Sequence, residues 1–236
     1  MKKTLLLLLF AYTITACATN KVEKVTHVQT EEIHIIDKPI VFKQERISMT
    51  KEYIKSHYGK TVENIHITPK IIVLHWTADM GLESSFNRLK PQRLLSDRKD
   101  IVKASALNVS SQFLIARDGT IYRLMPEAWM ARHVIGLNYS SIGVENIGGE
   151  NNKKEDLTAA QLKSNIALVK HLKKKYPSIQ YLIGHYEYKN MQSTSLWLEK
   201  DSHYRTIKAD PGPLFMQSVR ENVKKLGLRS APKGRK

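Results

Sequence analysis

The run IIVLHWTA at Ile71–Ala78 sets the architecture of this chain. Four apolar residues, three of them β-branched, lead straight into a histidine, a tryptophan and a threonine. Unbroken apolar character over so short a run reads as a strand buried on both faces in the middle of a sheet. A histidine at its exit stands on the sheet rim, where side chains from several strands converge. Taken alone, His75 reads as a hydrogen-bonded structural histidine before it reads as a ligand.

Outward from that strand, the clearest local signal is Ser111–Met125, where SQFLIA and TIYRLM flank Arg117-Asp118-Gly119. Asp-Gly is a favoured tight-turn pair, so a hairpin is expected there. Ser141–Ile147 reads as a second buried strand carrying one acid, Glu145, and Ile179–His185 as a third that again runs into a histidine. Thr158-Ala-Ala-Gln161 has the form of a capping box. The helix it opens carries Leu162, Ile166, Val169 and Leu172 on one stripe and stops before Pro177. Further helices are expected over Lys51–His57 (capped by Ser48 or Thr50 and ended by Gly59), over Leu82–Leu95 with a break at Pro91, and from Pro213 to about Leu226. Strands alternating with helices, plus one hairpin, give an α/β domain: a central mixed β-sheet flanked by helices.

The chain has 236 residues and a formal net charge of +16, which calls for a polyanionic neighbourhood: nucleic acid, an anionic membrane or an acidic wall polymer. The sequence carries no RNP motif, zinc-finger spacing or recognition helix, so nucleic acid is not an expected partner. Lys2 and Lys3 precede an apolar run, Leu5–Phe10, too short to span a bilayer. Ile14-Thr15-Ala16-Cys17 then resembles the lipobox of bacterial lipoproteins, and Cys17 is the chain's one cysteine. The resemblance implies acylation of Cys17, so a membrane contact through lipid, and a mature domain without disulfide or thiolate ligand. Ala18, by the same analogy, implies the outer membrane facing the periplasm. The expected organisation is a signal segment 1–17, a tether 18–46, one domain 47–228 and a basic tail 229–236.

Three polar residues stand out at apolar strand ends: His75, Glu145 and His185. A fourth group is Lys208-Ala-Asp210-Pro211-Gly212-Pro213. Two neutral imidazoles and a carboxylate make a plausible three-ligand zinc site with an open fourth position. The dispersed spacing does not by itself separate that reading from a buried acid, a surface lysine and structural histidines.

Together, IIVLHWTA, SSQFLIARDGTIYRLM, the histidine of ARH ahead of SIGVEN, IGH and KADPGP resemble the type-2 N-acetylmuramoyl-L-alanine amidases, in the family's order and over about Ile71–Met216. That family includes amidase-type phage lysozymes and the peptidoglycan recognition proteins. The resemblance implies that His75, His185 and Asp210 hold Zn2+, that Glu145 is the general base and that Lys208 stabilises the oxyanion. It implies substrate contact for His133, and groove-wall positions for Trp76 and Asn138. His27, His34, His57, His66 and His171 match no motif and read as surface or linker residues. Two departures stand out. Gln112 replaces a common histidine, with a possible effect around the site. His185 and Asp210 are 25 positions apart (210 − 185), far more than in compact members. The excess, about Tyr188–Thr206, brings Asp201 and His203 as rival ligands and is expected to form a lip over the groove. The implied activity is zinc-dependent cleavage between N-acetylmuramic acid and L-alanine in peptidoglycan or muropeptides. The alternatives are a non-catalytic peptidoglycan-binding lipoprotein and a zinc peptidase acting elsewhere in the stem peptide.

Overall fold

A computed structural model describes residues 33–233. The expected signal segment, Cys17, Ala18, His27 and most of the expected tether lie outside the described residues. Six strands form one mixed sheet: β1 (Ile35–Asp37), β2 (Ile71–Trp76), β3 (Phe113–Ile115), β4 (Ile121–Arg123), β5 (Ser141–Asn146) and β6 (Tyr181–Gly184). Their spatial order is β1-β4-β3-β5-β2-β6, and only the β3–β4 pair is antiparallel. Four α-helices accompany them: α1 (Gln44–Tyr58), α2 (Leu82–Leu89), α3 (Ala159–Lys175) and α4 (Pro213–Val223).

β2 lies inside the sheet, between β5 and the edge strand β6, and every residue of it is buried. Side chains alternate along a strand, so Ile72 and Leu74 join Ile142 and Val144 beneath Leu168, Val169 and Leu172 of α3 and Met216 and Val219 of α4. Ile71 and Val73 turn the other way, toward Tyr53 and Ile54 of α1. Each such aliphatic side chain, fully removed from water, contributes about 1.5–3 kcal/mol. The same alternation places His75 on the α1 side, at the end where β2, β5 and β6 all finish. Ligands gather at that end of parallel strands.

The hairpin closes as its Asp-Gly pair requires, with Phe113 opposite Arg123 and Gly119 at φ 90°. The capping box also forms: Gln161 N–H donates to Thr158 Oγ1 at 3.1 Å and Thr158 N–H to Gln161 Oε1 at 2.9 Å. Within the expected tether, which is open to docking one short strand, Ile35–Asp37 pairs into the sheet as β1. One expectation near the N-terminus needs correction. α1 starts at Gln44, which leaves Ser48 and Thr50 inside the helix, where Thr50 Oγ1 donates back to Arg46 O. Its end at Gly59, in the left-handed region at φ 65°, is as expected.

The segment Tyr188–Thr206 is expected as a lip over the groove, and only its end, Tyr204 and Thr206, lines a small pocket with His133, His185 and Lys208. It packs on the α1 side: Leu198 N donates to Gly136 O and Lys200 N to His57 O, while Tyr188 and Trp197 stack. At its centre His57, expected at the surface, is 6% exposed and meets Glu199 at 3.0 Å, with Nε2 on Ala104 O. Burial opposes charge on His57, but Glu199 and the Ala104 carbonyl outweigh it and raise the pKa. A raised histidine pKa contributes stability that is complete below the unfolded value and fades as pH rises through the folded one. Glu199→Ala is therefore expected to cost about 3–5 kcal/mol at pH 6 and less at pH 9, by urea melts at the two pH values.

The expected tail is also partly structured. Arg229 pairs beside Tyr181, its N–H donating to Gln180 O and its carbonyl accepting from Leu182 N–H.

Candidate metal and catalytic site

Three side chains meet at the rim. His75 comes from the end of β2, His185 follows β6 directly, and Asp210 precedes α4 in a turn closed by Gly212 N–H on Ala209 O. Tyr186 N–H holds the Asp210 carbonyl at 3.0 Å, which ties that turn to β6. His75 Nδ1 lies 3.0 Å from His185 Nδ1 and 3.1 Å from Asp210 Oδ2, and His185 Nδ1 lies 2.9 Å from the same oxygen. All three residues are buried.

This triangle fits a zinc ion. Ligand atoms at about 2.0–2.1 Å from a tetrahedral zinc stand about 3.3 Å apart, close to the observed edges, and two imidazole nitrogens with one carboxylate oxygen suit that metal. Two of the donors, His185 and Asp210, are also held in the state a cation needs. Burial pushes the His185 pKa down to about 4, in spite of Asp210. Burial alone would raise Asp210, but His185 and His75 hold its carboxyl well below the usual range. Lone pairs and a carboxylate are what a cation needs. Asp201 and His203, the rival ligands, are exposed and bond to each other through His203 N–H and Asp201 Oδ1.

Glu145 is paired with His75 in the β2–β5 register and opens on the same cleft, a cavity of about 320 Å³. Its Oε2 has no hydrogen-bond partner among the described residues. Burial raises its pKa to about 7. A carboxylate poised near neutrality and lacking a structural partner can accept a proton. Lys208 lines the cleft two residues before Asp210.

The other expected site residues divide. Trp76 lines the cleft, its Nε1–H donating to Asn152 Oδ1 at 2.7 Å. His133 lines it too, but its Nδ1 faces His75 Nε2 at 3.0 Å. Asn138 lines a small side pocket next to the cleft, together with His133, His185 and Lys208: it is 1% exposed, and its amide is spent on His133 N–H, Val134 N–H and Tyr58 Oη. Gln112 is buried behind the strands, donating to Trp129 O and accepting from Gly143 N–H. Cys17 lies outside the described residues.

Among the cleft residues that sequence reasoning missed are Arg88 from α2 and Arg98 from the loop after it. Arg98 clasps Asp100 at 3.0 and 3.1 Å, and Arg88 meets Asp97 at 2.8 Å. The charge-dense run Asp97–Asp100 was the available signal, and it reads as an ordinary solvated loop.

With this geometry in view, the sequence match decides the family. The N-acetylmuramoyl-L-alanine amidase family Amidase_2 matches residues 66–213, more than half of the chain. The chain belongs to that family. All the site residues above from His75 to Asp210 fall within the amidase match. A comparison with curated proteins gives no match. Among solved structures, the amidase LysC from Clostridium intestinale URNW is similar at 24% identity and TM-score 0.47, over 83% of this chain and 99% of that one. The amidase AmiD from E. coli, in complex with anhydro-N-acetylmuramic acid-L-Ala-D-gamma-Glu-L-Lys, is similar at 22% identity and TM-score 0.47, over 70% of this chain and 61% of that one. Human PGRP-IBETAC, in complex with a glycosamyl muramyl pentapeptide, is similar at 16% identity and TM-score 0.44, over 66% and 84%. The six-stranded mixed sheet with flanking helices is the α/β architecture that the sequence predicts for this amidase-family chain.

Proposed function

We propose that this chain is a zinc-dependent N-acetylmuramoyl-L-alanine amidase, hydrolysing the amide between the lactyl group of N-acetylmuramic acid and L-alanine in wall remodelling or muropeptide recycling. The observation that carries the proposal is the His75–His185–Asp210 triangle with the unpartnered Glu145 beside it in one cleft. When bound there, zinc supplies Lewis-acid polarisation and a lowered water pKa. Glu145 takes the proton of the attacking water as its oxygen bonds to the lactyl carbon, and delivers it to the alanine nitrogen as the C–N bond breaks. Lys208 stabilises the charge that develops on the carbonyl oxygen. Acylation at Cys17 would place the domain in the periplasm, on the inner leaflet of the outer membrane. The proposal takes that placement from the lipobox alone.

The test uses purified Ala18–Lys236 on peptidoglycan and on soluble muropeptides, with and without a chelator. Release of stem peptides with a new N-terminal alanine, lost on chelation and restored by zinc, is the expected result. Peptidoglycan retained without any bond broken at any zinc level would leave a binding module. Cleavage elsewhere in the stem would keep the metal site and overturn the substrate.

Stem peptides carry carboxylates, and Arg88 and Arg98 offer the cleft guanidinium groups for them. A hydrogen bond to a charged group contributes about 1.5–3 kcal/mol. Arg98→Ala is accordingly expected to raise KM about tenfold or more with kcat little changed. Steady-state kinetics on free-acid and amidated stem peptides check this: the loss belongs to the free acid alone.

A further inference from the structure

Both ring nitrogens of His133 are engaged, and its partners fix where its proton lies. The Leu137 carbonyl can only accept. Ser141 Oγ is 2.9 Å from it, a spacing at which two oxygens need a proton between them, so the Ser141 hydroxyl donates to Leu137. With its one proton committed, Ser141 Oγ meets His133 Nε2, 3.1 Å away, as an acceptor. His133 therefore carries its proton on Nε2 and keeps a lone pair on Nδ1. That lone pair faces His75 Nε2 at 3.0 Å, with the two rings edge-on at 83°. His75 must then hold its proton on Nε2, which leaves Nδ1 free to face His185 and Asp210.

We infer that His133 is a positioning residue, the middle of a one-way hydrogen-bond chain running from His75 through Ser141 to the Leu137 carbonyl, which locks His75 in the single tautomer that can ligate through Nδ1. The inference rests on the metal reading of the triangle. It replaces the substrate contact that family resemblance implies for His133.

The strand sequence is built for this chain. Ser141, Gly143 and Glu145 share one face of β5 by the two-residue period. Ser141 anchors the ring, and Glu145 stands beside His75. Gly143 makes room between them: a Cβ there would lie 2.8 Å from His133 Cγ and Nδ1, closer than real contacts allow. Gln112 Oε1 holds the Gly143 N–H at 2.7 Å, which fixes the strand against the ring. Histidine ligands commonly donate their second N–H to a carboxylate, a carbonyl or water, and removing such a partner weakens metal binding about 10–100-fold. Here a second imidazole takes that place.

The test titrates zinc into the metal-free wild type, His133→Phe, His133→Asn and Ser141→Ala, and records histidine 15N spectra of the zinc-loaded forms. His133→Phe keeps the bulk and removes the acceptor, so its zinc Kd is expected to weaken about 10–100-fold. His133→Asn sets an amide oxygen near the place of Nδ1 and is expected to recover most of that loss. Ser141→Ala frees the His133 tautomer and falls between them. In the wild type, a scalar coupling across the hydrogen bond should join His75 Nε2 to His133 Nδ1. A His133→Phe protein that binds zinc like the wild type and differs only in KM would overturn the inference and restore the substrate contact. Absence of the coupling together with an unimpaired Ser141→Ala would do the same if the phenylalanine variant fails to fold. A wild type without zinc affinity would instead sink the metal reading, and this inference with it.

Discussion

Replacing Glu145 with glutamine is expected to lower kcat/KM by about 10²–10⁴, the usual weight of a general base, and at the same time to stabilise the metal-free fold above pH 7. The second effect follows from the first residue property. Burial raises the Glu145 pKa from an ordinary 4.5 to about 7. A carboxyl whose folded pKa is raised binds its proton more tightly in the native state, so it costs nothing in acid and becomes a burden as pH climbs from the unfolded to the folded value. The burden is complete above about 7 and amounts to roughly 2–3 kcal/mol, reduced somewhat by the part of the side chain open to the cleft. Glutamine has the same shape without the charge. Thermal melts of the metal-free proteins at pH 5 and pH 8 check the sign: a gain of several degrees at pH 8 and little at pH 5. Activity lost with no gain in either melt would mean that Glu145 is held by a partner and is not a stranded base. In the wild type the acid limb of the pH–rate profile is expected to belong to the same group, because only the carboxylate accepts a proton.

Asp210→Ala is expected to act in the opposite direction on stability and harder on metal. The carboxylate supplies one corner of a triangle whose other corners are neutral rings. Its loss should weaken zinc binding beyond the about 100-fold that losing an outer partner costs, and take hydrolysis to background. Its depressed pKa contributes stability that is present above the unfolded value and lost as pH falls through the folded one. The metal-free variant should therefore melt below the wild type at pH 7 and approach it in strong acid. Zinc content by elemental analysis, read beside the melts, separates a lost ligand from a lost fold. A variant that keeps stoichiometric zinc would remove Asp210 from the ligand set.

How much of this could be read from the sequence depended on whether the determining forces were local. β2, β5 and the hairpin announced themselves because a strand buried on both faces must be apolar throughout, and because Asp-Gly fits few backbones other than a tight turn. α3 was marked by its own cap. α1 was only half visible. Its buried face is Arg46, Thr50, Tyr53, Ile54 and His57, too polar to stand out from its surroundings, and Lys43 gives its first turn no side-chain cap. β1 is too short, at three residues, to show a period. Among the site residues, His75, Glu145 and His185 were visible as polar groups interrupting apolar strand ends, and Asp210 as part of the KADPGP run. Their convergence then followed from parallel strands in register. Arg98, the course of Tyr188–Thr206 and the link from His133 to His75 depend on contacts between distant segments, for which no local pattern exists.

The outer edge of β6 has one more consequence. Unpaired strand edges recruit other strands, and native sheets must block them. Here three outward polar groups on that edge are already taken: Leu182 N–H by Arg229 O, Leu182 O by Arg220 Nη2 at 3.0 Å, and Gly184 N–H by Glu187 Oε2 at 2.7 Å, with Arg220 and Glu187 paired to each other. The residues just past Leu228 thus work as a seam that keeps one copy of the sheet from being extended by another. A chain cut at Leu228 would keep its cleft and lose its closure, turning a self-contained sheet into a template for self-association.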